Sequence, residues 1–261
     1  MRLVTFDRRG HRRLGAILGG EAVDLPDAVG HPAFPTTLEA LVAASGGTVM
    51  DAARAALARD DALECAVPDA RLLTPLFPTS LLSPDAFEVE RRLVGPDQDV
   101  PWPAGAAWLE YEPRVAAVLG RDAHRASPDE VAARVFGYTL VSDWRARSES
   151  GDPMPTSEGL PIAIGPCVVT AEDLDPQTVF VELRVDGKAV VKGNLNGAAR
   201  NLVELISAAS HDRELERGDA FALTPFGRIG EDPSRQLWPG AVVELGAEGI
   251  GTLRNTLGAR P

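Results

Sequence analysis

Residues 108–147 read WLEYEPRVAAVLGRDAHRASPDEVAARVFGYTLVSDWRAR. The segment 108–119 is apolar and β-branched enough for a strand, and Gly120-Arg121-Asp122 supplies a turn. Ser127-Pro128-Asp129-Glu130 starts a helix. Ser127 is the N-cap, Pro128 takes the first helical position, and Glu130 closes a capping box. That helix is short, ending near Arg134, and residues 135–142 alternate into a second strand. Side chains two apart on a strand share a face, so Glu112, Arg114 and Glu110 are expected together. Asp143 and Arg147 follow the end of the second strand in a polar loop. If the two strands are neighbours, acids and arginines converge on one spot. The alternative is a solvated, salt-bridged face, since exposed ion pairs are common and weak.

The chain has 261 residues with 44% hydrophobic content, which allows one large domain and a small one. Its formal net charge of -12 argues against nucleic acid and anionic membranes as partners, because phosphate binding needs concentrated positive charge. Lys188 and Lys192 are the only lysines, so arginine carries the positive charge. Cys65 and Cys167 make no metal or redox spacing and read as buried, inert thiols. The chain opens as a strand (MRLVTF) rather than a signal peptide, and no run of about 18 apolar residues exists. A soluble cytoplasmic protein is expected.

Residues 1–70 read as a small N-terminal α+β domain and residues 71–261 as a larger, mainly β domain. Residues 2–6 and 13–18 are short strands joined by the polar turn Asp7-Arg8-Arg9-Gly10. Gly19-Gly20 turns the chain into 21–25. Residues 37–44 and 49–57 have helical periodicity, with Leu38, Leu41 and Val42 on one stripe. Residues 148–159 (SESGDPMPTSEG) read as a mobile loop. Asp186-Gly187 between 180–185 and 189–191 signals a type I′ hairpin. Residues 201–209 form an amphipathic helix, with His211 in the loop beyond it.

The 108–147 stretch resembles the fumarylacetoacetate hydrolase superfamily. That family reads roughly D-Y-E-x-E-L-A-V-V-I-G, then a short helix, then G-Y-T-x-x-N-D-x-S-A-R-D. Here the matching runs are E-Y-E-P-R-V-A-A-V-L-G and G-Y-T-L-V-S-D-W-R-A-R-S. The resemblance extends over nearly the whole chain. It includes RLVTF…RLGAIL…EAVDL near the start, Gly193-Asn194-Leu195 for G-N-T, L-E-R-G-D at 215–219 and G-T-L-R-N at 251–255. It implies an α+β fold, a mixed, mainly β C-terminal domain curled around a cleft, and a homodimer. It further implies a divalent magnesium or manganese ion, bound by the two Glu of E-x-E and the Asp of N-D, acting on a 1,3-dicarbonyl or 2-oxo acid.

The departures fall on the chemistry. Glu112 and Asp143 match two of the three metal ligands, Arg114 stands at the third, and Arg147 matches the arginine of S-A-R. Using Glu110, Glu112 and Asp143 as the metal set requires a two-residue slip against Gly120. The family's G-x-N-Y-x-x-H-x-x-E corresponds to a run in which Phe87 stands for the Tyr, Glu88 or Glu90 lies near the missing His, and 88–92 is otherwise a charged helical turn. Thr156 falls at the family's enolate-stabilising lysine, and Thr224 is kept from T-G-T-P-x-G. The segment between Glu90 and Glu112 is short, which implies a reduced lid. A hard dication favours several oxygen ligands and negative charge, whereas arginine keeps its proton. Arg114 is therefore expected to occupy the metal position in a bidentate pair with Glu112 or Asp143, with no cofactor bound. The expected function is metal-free, enolisation-type chemistry on a small oxo or dicarbonyl acid, as lyase, dehydratase, cyclase or decarboxylase, in specialised metabolism. Glu112, Arg114, Asp143, Arg147 and Glu90 are its catalytic candidates. Phe87, Thr156, Asn194 and Thr224 are its substrate-binding candidates. The alternatives are an inactive binding or partner protein, and a metal-dependent carbon–carbon hydrolase.

Overall fold

Two sheets organise the computed structural model of the chain, which describes residues 1–83, 91–155, 159–194, 202–223 and 236–261. The first sheet opens with a meander of β1 (Arg2–Arg8), β2 (His11–Leu18) and β3 (Glu21–Asp24). Arg9 and Gly10 take φ of 57° and 85°, the left-handed pair that a two-residue hairpin requires. The turn expected over 7–10 is thus shortened to two residues, because Asp7 and Arg8 stay in register with Arg12 and His11.

Asp24 caps α1 (Leu25–Val29), accepting the Asp27 N–H at 3.1 Å. This short helix is absent from the sequence reading, because five residues are too few to show a period. Helix α2 (Leu38–Ala43) starts at the Thr37 cap and α3 (Gly47–Leu57) follows it. Leu38, Leu41 and Val42 are buried as the stripe requires. Strand β4 (Ala66–Val67) closes this edge of the sheet.

The centre is built from β8 (Trp108–Leu119), α4 (Pro128–Ala132), β9 (Val135–Arg147) and β10 (Ile162–Thr170). Both reciprocal bonds of the Ser127/Glu130 capping box are present. With β5 (Leu81–Leu82) and β13 (Ala220–Ala222), the strand order is β4-β3-β2-β1-β10-β9-β8-β13-β5, and β6 (Leu93–Val94) pairs beside β10. Arg2 lies opposite Val169, so the N-terminal meander continues the central sheet.

The second sheet orders β12 (Lys188–Asn194), β11 (Phe180–Val185), β14 (Val242–Ala247), β15 (Gly251–Leu257) and β7 (Asp99–Val100). Asp186 and Gly187, at φ of 46° and 75°, make the expected hairpin tip. The Asn255 amide donates to the Gly95 and Gln98 carbonyls at 3.0 and 2.9 Å, so the closing G-T-L-R-N run has a structural role in holding the preceding loop.

One apolar core holds Leu109, Tyr111, Leu140 and Trp144 with Leu183 and Leu245 of the second sheet. Another, containing Leu38 and Leu41, packs against Val118, Val141 and Ile164. Three sequence expectations are corrected. The second strand does not end at Ser142 but runs to Arg147, because Trp144 and Ala146 are fully buried and keep the alternation going. His211 lies in the last turn of α5 (Leu202–Asp212) rather than in a loop, its Nδ1 2.8 Å from the Ser207 carbonyl. Cys167 is buried, whereas Cys65 is only half-buried.

Candidate functional site

Strands β8 and β9 pair antiparallel with Glu112 opposite Asp143, Glu110 opposite Arg145, and Trp108 opposite Arg147. The two-residue period therefore puts Glu110, Glu112, Arg114, Asp143, Arg145 and Arg147 on one face. The opposite face fixes the strands. Tyr111 and Trp144 meet with ring centroids 4.6 Å apart, and the Tyr111 and Ser142 hydroxyls hydrogen-bond at 2.7 Å. The charged face stands on a rigid, apolar backing.

It is not a solvated face. Glu112 is 1% exposed, Arg114 3%, Glu110 8% and Asp143 9%. Charges so buried require partners, and each carboxylate has an arginine. Arg114 Nη2 donates to Glu112 Oε2 at 2.7 Å, and its Nη1 donates to the Leu223 carbonyl at 2.9 Å. Arg114 thus forks between Glu112 and a main-chain oxygen. Arg145 Nε donates to Glu112 Oε1 at 2.9 Å. Arg147 Nη2 donates to Glu110 Oε2 at 2.8 Å. Arg91 Nη1 lies 2.7 Å from Asp143 Oδ1, which also accepts the Trp144 N–H at 2.7 Å. Burial pushes the Glu112 carboxyl up, but hydrogen bonds from Arg145 and Arg114 outweigh it and hold the group below its ordinary value. Two guanidinium nitrogens, Arg91 Nη2 and Arg147 Nε, are buried without a hydrogen-bond partner.

Arg91 and Arg145 were missed by the sequence reading. Arg145 follows the 143–145–147 alternation of a strand that the reading ended too early. Arg91 belongs to the 88–92 run that reads as a charged turn, of which 88–90 lie outside the described residues; it leads into β6 and its Nε donates to the Leu160 carbonyl at 2.7 Å. The loop after Arg147, expected to be mobile, folds back on β9 over residues 148–154. Ser148 and Ser150 hydroxyls meet at 2.9 Å, Ser150 donates to Asp152 at 2.6 Å, and the Met154 N–H donates to the Ala146 carbonyl at 3.0 Å. Asn194 is exposed at the end of β12 in the second sheet, and no contact joins it to the cluster among the described residues. Phe87, Glu90, Thr156 and Thr224 lie outside the described residues.

Magnesium or manganese is a poor match to these donors. Both Glu112 oxygens, one oxygen of Glu110 and one of Asp143 already accept from guanidinium groups. A dication there would meet four arginines instead of free carboxylates. Among the described residues no group of three His, Cys, Asp or Glu is arranged to hold a metal. No described helix is long and apolar enough to cross a membrane.

Residues 78–258 match the family described as fumarylacetoacetate (FAA) hydrolase C-terminal. A 2,4-didehydro-3-deoxy-L-rhamnonate hydrolase of Sphingomonas sp. (strain SKA58) is 33% identical over 172 residues, 62% of this chain and 60% of the relative. The oxaloacetate tautomerase YisK of Bacillus subtilis (strain 168) is 32% identical over 161 residues, 58% of this chain and 52% of the relative. The matched region thus spans between half and two thirds of these relatives. Among solved structures, the fumarylacetoacetate hydrolase of Exiguobacterium antarcticum superposes with a TM-score of 0.79 at 24% identity, covering 100% of both chains. The maleylpyruvate hydrolase of Sphingobium sp. SYK-6, in complex with manganese(II) and pyruvate, gives 0.78 at 22% identity, again over 100% of both. At such identities these structures speak for the fold, and the mainly β architecture with its added helices is theirs.

Proposed function

The chain belongs to the fumarylacetoacetate hydrolase family, and from that premise we propose that it is an enzyme that enolises a small oxo or dicarbonyl acid on arginines in place of a divalent metal. The observation that carries this reading is the buried cluster in which every carboxylate is arginine-paired while Arg91 Nη2 and Arg147 Nε keep unpartnered N–H groups. Two relatives, a didehydro-deoxy-rhamnonate hydrolase and an oxaloacetate tautomerase, support the substrate class.

A 2-oxo acid presents a carboxylate beside a ketone. The carboxylate docks on Arg147 and Arg91 through charge-assisted hydrogen bonds. The ketone oxygen gains charge as the adjacent carbon loses its proton, and a preorganised guanidinium in a dry site stabilises that charge. The C–H electron pair becomes the enolate double bond. Asp143, whose contacts with Arg91 and the Trp144 N–H both use Oδ1, takes the proton at Oδ2. Return of the proton to oxygen gives the enol, loss of a β-substituent from the enolate gives a lyase outcome, and in a β-oxo acid the electron pair left by departing carbon dioxide forms the same enolate in place of C–H removal. None of these steps consumes water. Glu112, held low by two arginines, is a weak base and serves to position Arg114 and Arg145.

The same saturation of carboxylates by arginines favours a second reading, a catalytically silent family member that keeps the fold and binds a partner. Assay of chelator-treated protein against a panel of oxo acids, with oxaloacetate keto–enol exchange followed in the ultraviolet, separates the two. Turnover persists after chelation under the first reading, and Arg147→Gln lowers kcat/KM by about 100-fold, as loss of one charge-stabilising donor does. Turnover that appears only with added manganese, together with one equivalent of manganese bound by calorimetry, would sink it in favour of a metal-dependent hydrolase using Glu110, Glu112 and Asp143. No turnover of any oxo acid, with or without metal, selects the silent member.

A further inference from the structure

A polar cavity, of about 130 Å³, opens at the other end of β9, where α3 meets the turn after β8 and the short helical turn after β10. Arg54, Gly120, Arg121, Arg134, Phe136 and Glu172 are among its walls. Three guanidinium-bearing side chains there meet the Asp173 carboxylate, 3.5 Å from Arg54 Nη1, the Glu130 carboxylate beside Arg134, and Glu172 in the wall. Arg54 is engaged by the Glu172 carboxylate, with Nη2 2.5 Å from Glu172 Oε2. Arg134 is not so satisfied. Its Nη2 is 3.7 Å from Glu130 Oε1, and its Nη1 is buried with no hydrogen-bond partner. An unpaired buried N–H on a charged group is costly and marks a place where an acceptor belongs. Arg121 lies exposed at the rim of the same cavity and brings a further positive charge. A cavity of about 130 Å³ has room for a small oxyanion together with water.

We propose that this cavity is a binding site for a small oxyanion, phosphate or carboxylate, held by Arg134 and Arg121 with Arg54 closing one side. It is separate from the charged face. Asp143 lies eight residues along β9 from Val135, about 25 Å at strand rise. An anion here joins a helix of the N-terminal meander to the central sheet, so it stabilises the folded chain as a whole rather than entering the chemistry at Asp143.

Thermal melts of the intact chain in inorganic phosphate, against sodium chloride of equal ionic strength, test the site, with acetate as a second arm. Saturating phosphate or acetate is expected to raise Tm by roughly 5 °C beyond chloride in the native chain and in Arg147→Gln. The rise is lost in Arg134→Gln. It is also lost in Arg121→Gln, an exposed position whose replacement leaves folding intact should Arg134→Gln fail to fold. A response to phosphate alone identifies a phosphate-type ligand, and a response to acetate identifies a carboxylate. Three results overturn the proposal: no rise beyond chloride with either anion, an equal rise in Arg121→Gln, or a rise lost in Arg147→Gln, which would place the anion in the charged face instead.

Discussion

Arg114 sits at 3% exposure with one nitrogen on Glu112 and another on the Leu223 carbonyl. A guanidinium so placed stays charged, because arginine does not release its proton in a protein. Its value is conditional on its partner. Removing Arg114 would leave buried Glu112 with the half-exposed Arg145 but without its buried partner, and breaking a buried ion pair costs about 3 kcal/mol or more. Arg114→Ala is therefore expected to lower the unfolding free energy by about that amount in urea titration. Arg114→Met, which fills the volume without restoring the charge partner, should recover little. A loss under about 1 kcal/mol in Arg114→Ala would show that Arg145 alone satisfies Glu112. Two-residue spacing makes the shared face of Glu110, Glu112 and Arg114 legible in the sequence, whereas Asp143 and Arg147 read as loop residues and stand out only through the family resemblance. The pairing of acids with arginines is not legible there. Which arginine meets which acid depends on the register that sets Glu112 opposite Asp143, 31 residues on in sequence, and on Arg91 arriving from a third segment.

The paired strands β8 and β9 owe their precision to close backbone contact on both sides. Gly137 pairs with Val118 on β8 and with Thr170 on β10. A Cβ built there would lie 2.2 Å from the Val169 carbonyl oxygen, far inside contact distance and against main chain that has no rotamer to yield. Gly137→Ala is expected to destabilise the chain by on the order of 3 kcal/mol through overpacking, and to broaden the amide signals of β9 and β10 together. A melting temperature unchanged from the native chain would mean that β10 slides without cost, contrary to its packing. Sequence periodicity located these elements because each hides one face in a core. It lost their ends. Strand β9 was cut at Ser142 because Asp143, Arg145 and Arg147 look like loop residues in isolation. They are strand residues because Trp144 and Ala146 between them are buried.

At the scale of the whole molecule, the depressed carboxyls set the acid limit of the fold. Burial raises Glu112, but hydrogen bonds from Arg145 and Arg114 bring it below its ordinary value. Asp173 is pushed down to about 2 by hydrogen bonds from the N-terminal amine and Thr170. The hydrogen bond from Arg8 leads the lowering of Asp27. A folded pKa below the unfolded one stabilises fully above the unfolded value, near 4 for these groups, and the gain disappears as pH falls through the folded value. Tm is expected to be flat from pH 7 to about 5 and to fall steadily from about pH 4 toward 2. Glu112→Gln should soften that fall and lower Tm at pH 7. A flat profile down to pH 2 would show that these ion pairs persist in the unfolded chain. The amino-acid order by itself determined which segments are strands and helices, the two-residue face that gathers acids and arginines, and the family to which the chain belongs. The elements and the shared face follow from local periodicity, caps and turn residues, which act over a few positions, and the family follows from motifs that resemble it. The tertiary structure alone decided that the three carboxylates of this face are buried, that four arginines from three separate segments pair with them, and that an arginine-lined cavity lies at the far end of β9. Burial and charge pairing depend on which distant segments are folded against one another, and no local pattern carries that information.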